Sequence, residues 1–293
     1  MDKTQKQMRN DERFDEMLLE ENKKAPMHIG IIGCGITGGA LKQWFEDHAP
    51  ERKLAIYDPA KPEYNDPKAV KDCDWVFICV PVPNNQAEVT AITSPIQDLS
   101  ILEEAIGLTN QTARVFIRST ILPGTTDELR LKFRRNSIYA MPEFLTERRA
   151  YHDMESLPLM VGLENAGEIQ GRFRELFGWK QTYFATNKEC EMAKYVHNAF
   201  AAIKVNYFNI IHEICKKLSC DYDYVAKLAN ITGFIGEEHT KVPGPDGAPG
   251  YGGKCLPKDT EAFSKLVSNI APLSADVLLA TIENNTRYRN MAD

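Results

Sequence analysis

From residue 27 onward, short apolar runs alternate with amphipathic stretches. Runs at 27–32, 53–57, 75–80, 114–118, 137–140 and 158–163 predict strands, and 37–47, 97–107, 125–134 and 165–177 predict helices. Such alternation predicts an α/β fold with a doubly wound parallel sheet. After about Ala185 the strand pattern stops. Residues 187–218 place Met192, Val196, Phe200, Ile203, Tyr207, Ile210, Ile211 and Ile214 at helical spacing, which predicts one long helix. Further helices are predicted over 221–230, 259–266 and 273–289. The intervening stretch 233–253 is rich in Gly and Pro, and a loop of that length inside a domain is usually functional or disordered. Ahead of the first strand, residues 1–26 are charged with both signs mixed. Phe14, Met17 and Leu18 allow one short amphipathic helix there, in a solvated extension or a docking segment. The expected organisation is an extension (1–26), a sheet domain (27–186) and an all-helical domain (187–293).

Composition narrows the classes. The 293 residues are 43% hydrophobic and 26% charged, enough to bury a core in about two domains. A net charge of −6 argues against a nucleic-acid-binding surface. The seven cysteines form no Cys-x-x-Cys pair, which suits a reduced, cytoplasmic protein without a zinc site. The N-terminus has no apolar core of a signal peptide. The longest apolar run, Trp75 to Val80, is too short to span a bilayer, so no membrane association is expected.

The first candidate chemistry is Gly33-Cys34-Gly35-Ile36-Thr37-Gly38, which follows a predicted strand and opens a predicted helix. Gly33 permits the tight turn, Gly35 the approach of a pyrophosphate, and Gly38 the packing of helix on strand. The helix N-terminus then faces the phosphates. Asp58 ends the next strand, 20 positions after Gly38, where an acid hydrogen-bonds the adenosine ribose and repels a 2′-phosphate. This is a Rossmann signature, and it favours NAD over NADP. Val80-Pro81 and Ser119-Thr120 end later strands, so they are expected at the nicotinamide side of the cleft, although Ser119 and Thr120 serve equally as helix caps.

Three further clusters carry candidate catalysis. Gly250-Tyr251-Gly252-Gly253-Lys254-Cys255-Leu256-Pro257-Lys258-Asp259 presents one cysteine after a glycine run, flanked by two lysines that favour the thiolate. Lys194 and Asn198 stand four apart on the long helix, either a pair able to stabilise a developing alkoxide or a solvated face. In Pro142-Glu143-Phe144-Leu145-Thr146-Glu147, the carboxylates Glu143 and Glu147 are four apart and would share a helical face. They divide acid and base duties or are ordinary surface glutamates. His197 and His212 have no partner at metal-ligand spacing, and a surface or capped role is expected for both.

Taken together, the clusters at 33–38, 119–126, 142–147, 194–198 and 250–259 resemble the UDP-glucose/GDP-mannose dehydrogenase family, in the family's order and over nearly the whole chain from Met27. The resemblance implies a Rossmann domain followed by a helical middle domain whose long helix, 187–218, makes a homodimer. It implies NAD-dependent, four-electron oxidation of a sugar-nucleotide primary alcohol to a uronic acid. Cys255 would be the nucleophile, passing through a thiohemiacetal and a thioester, and Lys194 with Asn198 would stabilise the oxyanion. Thr120, Glu143 and Asp259 would handle water and protons, with Glu147 near the nicotinamide or the reacting water. Phe144, Leu145, Tyr251, Gly252 and Gly253 are expected to face the sugar-nucleotide or small-sugar substrate.

The chain departs from the family in three places. It stops at Asp293, where relatives continue into a third, nucleotide-binding domain, so a short form, or one completed by a separate partner, is expected. Thr232-Gly233-Phe234-Ile235-Gly236 lacks an arginine that the family often carries there, with Lys241 as the candidate replacement. The run 237–250 into the glycines also differs. Two other functions are therefore kept open: a two-electron 3-hydroxyacid-type dehydrogenase, and a non-catalytic NAD-binding partner subunit.

Overall fold

The computed structural model describes residues 27–85, 96–135, 137–164, 166–178 and 180–291. The helix expected around Phe14 lies outside the described residues. The chain divides into two compact units, one of residues up to Val82 with Asp98–Met192, the other of Pro83–Gln97 with the chain from Ala193 onward.

The first unit is built on a five-stranded parallel sheet of β1 (His28–Ile32), β2 (Lys53–Tyr57), β3 (Trp75–Ile78), β4 (Arg114–Ile117) and β5 (Ile138–Ala140), in the order β2-β1-β3-β4-β5. Helices α1 (Ile36–His48), α2 (Ser100–Leu108) and α3 (Thr125–Phe133) connect the strands. Both faces are covered, so the strands are apolar throughout, and their period of two sorts the side chains by shape. Trp75, Phe77, Phe116 and Tyr139 fall on one face with Phe45, Phe173 and Phe177. Their rings lie 4.9–5.4 Å apart across neighbouring strands, from Trp75–Phe116 to Phe116–Tyr139. Val76, Ile78, Val115, Ile117 and Ile138 fall on the other face, against Leu102, Ile106 and Leu129. The sheet thus has an aromatic side and an aliphatic side.

The expected strand 158–163 is realised as β6 (Leu159–Val161). It pairs in parallel with β7 (Thr182–Phe184), which the sequence pattern does not predict. Two helices, α4 (Ala150–Ser156) and α5 (Glu168–Leu176), precede β7, and α4 too is unpredicted.

The long helix is found as α6 (Asn187–Leu218). The second unit adds α7 (Tyr222–Ala229), α8 (Cys255–Ile270) and α9 (Asp276–Asn290). Helix α8 starts four residues earlier than its sequence suggests. Pro257 sits in its first turn, where the missing N–H has no intrahelical partner to lose. Among the described residues no helix is long and apolar enough to cross a membrane.

Candidate functional site

In the first unit, strand order reverses at β1 and β3, and the glycine turn leaves the carboxyl end of β1 at that point. Gly33 N–H donates to Tyr57 O at 2.8 Å and Cys79 N–H to Ile32 O at 2.7 Å, fixing the turn between β2 and β3. A Cβ on Gly38 would stand 1.9 Å from Gly33 O, so only glycine closes the turn onto α1. A Cβ on Gly35 would meet nothing within 4 Å, which leaves its outer side open. Beyond it, the α1 N-terminus has no side-chain cap and no acid in its first turn. Unused amides beside a bare glycine are what a dinucleotide pyrophosphate requires, so these residues fit NAD.

Asp58 lies at the end of β2 as expected, and its carboxylate also props the turn. Oδ2 accepts Cys34 N–H at 2.7 Å and Oδ1 accepts Ala60 N–H at 2.9 Å. Ser119 Oγ donates to Val80 O at 2.6 Å, tying the ends of β4 and β3 together, with Thr120 half-buried beside it and Pro81 exposed. The following helix, α3, begins at Gly124 without a cap of its own. Glu191 of α6, which sequence reasoning missed, supplies one: it accepts Gly124 N–H at 2.6 Å and Thr126 N–H at 2.8 Å. Burial pushes the Glu191 carboxyl up to about 7, against the lowering effect of those bonds.

Glu143 and Glu147 do not share a helical face. Residues 142–146 are non-helical, with Thr146 extended (φ −92°, ψ 129°) because Asp153 Oδ2 holds its N–H at 2.7 Å. Glu143 is half-buried and turns Oε2 back onto Leu145 N–H, whereas Glu147 is exposed at the start of a 3-10 turn. Phe144 and Leu145 are half-buried, Leu145 against the aromatic core.

The second unit gathers the other candidates. Cys255 is the first residue of α8 and is exposed. Asp259, one turn on, is 1% exposed. Asp259 Oδ2 accepts from Asn198 Nδ2 at 2.6 Å, and Oδ1 accepts from Lys258 Nζ at 2.6 Å. Asn198 is held at its other end by His197 Nδ1, 3.0 Å from Oδ1. Lys194 lies buried one turn earlier on α6. Asn84 reinforces α8 through Nδ2, which donates to Lys258 O at 2.8 Å and Glu261 Oε2 at 3.0 Å, and Gln97 Nε2 donates to Tyr195 OH at 3.0 Å.

The loop before Cys255 is anchored by Asn209, Asn285 and Arg289, which the sequence did not single out, and by Lys204, which it reads as structural. Asn209 Oδ1 accepts Gly250 N–H at 2.9 Å, and Lys204 Nζ donates to Ile235 O at 2.9 Å. Asn285 accepts Tyr251 N–H at 2.7 Å and donates to Tyr251 O at 3.0 Å, and Arg289 Nε donates to the same carbonyl. A Cβ on Gly250, at φ 76°, would stand 2.5 Å from Asn285 Oδ1. Tyr251, expected to face substrate, is 4% exposed, with its backbone held by Asn285 and Arg289. Gly252 lies half-buried against Arg289, while Gly253 and Lys254 are exposed, as is Lys241.

A parallel sheet with a dinucleotide turn at its switch point, followed in the chain by helices that present a cysteine, defines a Rossmann-type dinucleotide-binding architecture. The chain belongs to the UDP-glucose/GDP-mannose dehydrogenase family: the family's NAD binding domain matches residues 60–178 and its central domain residues 188–287. NAD is therefore the cofactor of this domain. The chain is 31% identical over 213 residues to the UDP-glucose 6-dehydrogenase of Rhizobium meliloti (strain 1021), covering 67% of this chain and 46% of that protein. It is 26% identical over 281 residues to UDP-glucose 6-dehydrogenase TuaD of Bacillus subtilis (strain 168), covering 92% and 57%. A UDP-glucose dehydrogenase from Pyrobaculum islandicum superposes with a TM-score of 0.73 at 20% identity, over 91% of this chain and 69% of that one, which bears on the fold alone. The chain spans about half the length of the curated relatives it matches.

Proposed function

We propose that the protein carries out NAD-dependent, four-electron oxidation of the primary alcohol of a UDP-glucose-like sugar nucleotide to the uronic acid. The observation that carries this reading is the bonded group Asn198–Asp259–Lys258, set one turn after Cys255 and one turn after Lys194. Bound NAD supplies the hydride acceptor for both oxidations. Between them, the Cys255 thiolate adds to the aldehyde carbon, forming a C–S bond and an oxyanion. Lys194 Nζ and the second Nδ2 hydrogen of Asn198 donate to that oxyanion. Loss of hydride from the thiohemiacetal leaves a thioester on Cys255. Glu143 acts as base toward a water, with Thr120 and Asp259 as proton carriers and Glu147 near the nicotinamide or that water, and hydrolysis breaks the C–S bond. One alcohol, two NAD+ and one water yield one carboxylate, two NADH and three protons.

Phe144, Leu145, Gly252 and Gly253 are proposed to face the sugar. The proposed functional division is a cofactor domain over 27–186 and a catalytic helical domain over 187–293. The proposed dimer contact is α6, whose Val196, Phe200, Tyr207 and Ile214 are exposed. A two-electron 3-hydroxyacid reading leaves Cys255 without a task and is not favoured. The test is to incubate the protein with NAD and a panel of nucleotide sugars and follow NADH and uronate together. Two NADH per uronate are expected. One NADH per substrate would refute the four-electron mechanism, and none with any sugar would leave a non-catalytic subunit.

A further inference from the structure

Arg118, directly after β4, is 3% exposed, yet its guanidinium is poorly satisfied. Nε and Nη1 have no hydrogen-bond partner among the described residues, and Nη2 reaches only Met154 Sδ at 3.9 Å. A buried cation without an acceptor is costly, so an acceptor is to be expected close by. Arg118 lines one cavity with Glu143, Asp153 and Met154. The cavity measures about 10 Å³ for the centre of a water-sized sphere, room for one water molecule.

The two carboxylates in its lining are not equally available. Asp153 is engaged by Thr146 N–H, by Arg149 Nε at 3.7 Å and by His152 Nδ1 at 3.6 Å. Glu143 commits only Oε2, to Leu145 N–H. Both Arg118 and Glu143 also act on the thiol of Cys79: burial pushes it up to about 12, with Arg118 opposing and Glu143 adding. The two side chains therefore share one small neighbourhood.

We propose that Arg118 is a positioning residue for Glu143, its guanidinium bridged to the free carboxylate oxygen by a single water held in this cavity. The catalytic half of this inference rests on Glu143 being the base, as proposed above. The bridge satisfies the guanidinium, orients a side chain that stands on non-helical backbone, and keeps a positive charge beside the carboxylate.

The test combines a high-resolution crystal structure of the whole chain with two variants, Arg118→Met and Arg118→Lys. The structure is expected to show one water within about 3.2 Å of an Arg118 nitrogen and a Glu143 oxygen. Methionine matches the stem in length and removes a buried charge, so the melting temperature is expected to hold or rise. At the same time kcat should fall about tenfold with KM for NAD unchanged, and Arg118→Lys should recover most of the loss. A dry cavity, a guanidinium paired directly to another group, or an Arg118→Met enzyme with unaltered kcat would overturn the proposal. Full activity in Glu143→Gln overturns the base assignment and with it the catalytic half, while the water still decides the bridge.

Discussion

Asn285 holds the backbone of Tyr251 from both sides, accepting its N–H and donating to its carbonyl. Replacing it by alanine strands two buried backbone groups, at a cost of about 1–3 kcal/mol each when unsatisfied, with the Arg289 bond to the carbonyl offsetting part. A fall of several degrees in the melting temperature of Asn285→Ala is expected, readable by differential scanning calorimetry. The asparagine was not legible in the sequence because it lies 34 residues from its partner, on a helix with no motif of its own. Lys194 and Asn198 were readable as candidates from their helical spacing, Cys255 from the glycines before it and the lysines beside it, and Asp259 as the acid that closes that motif. Asp58 was legible by position, though its bond to Cys34 N–H was not. Its carboxylate should repel a 2′-phosphate, so NAD is expected to raise the melting temperature more than NADP at equal concentration, and the opposite ranking in a thermal-shift assay would count against that role.

Among the elements, the sheet strands and the long helix were legible from periodicity, since buried parallel strands read as apolar runs. Strand β7 was not, being three residues long with Tyr183 exposed. The start of α8 was hidden by Pro257. The apolar positions of α6 announced a helix correctly. Phe200 and Tyr207 are exposed, whereas Tyr195, Ala199, Ala202 and Phe208 are buried. Helix α3 shows how elements cap one another, through the Glu191 carboxylate of α6. Its pKa of about 7 lies above the ordinary 4.5, so the folded state binds this proton more tightly than the unfolded chain. The stability tied to this proton is complete below the unfolded value, declines as pH rises toward about 7, and is gone above it. Urea melts at about pH 5 and about pH 8 should show the wild type losing more stability over that interval than Glu191→Gln, and parallel losses would remove Glu191 from the account.

At the scale of the whole molecule, the exposed apolar residues of α6 and the proposed dimer are one question. Wild-type protein is expected to sediment as a dimer and Phe200→Glu as a monomer with an unchanged circular dichroism spectrum. A wild type that is monomeric at all concentrations rejects the contact. A separate consequence follows from the second unit's being drawn from two stretches of chain. Asn84 and Gln97 leave and re-enter the sheet unit, yet their side chains serve Lys258, Glu261 and Tyr195. The helical unit is therefore not a module that recombination could cut out at a single join. A graft of residues 193–291 from this chain into a relative would import α8 without the amide that holds its first turns. A workable exchange has to carry the short outlying segment with it.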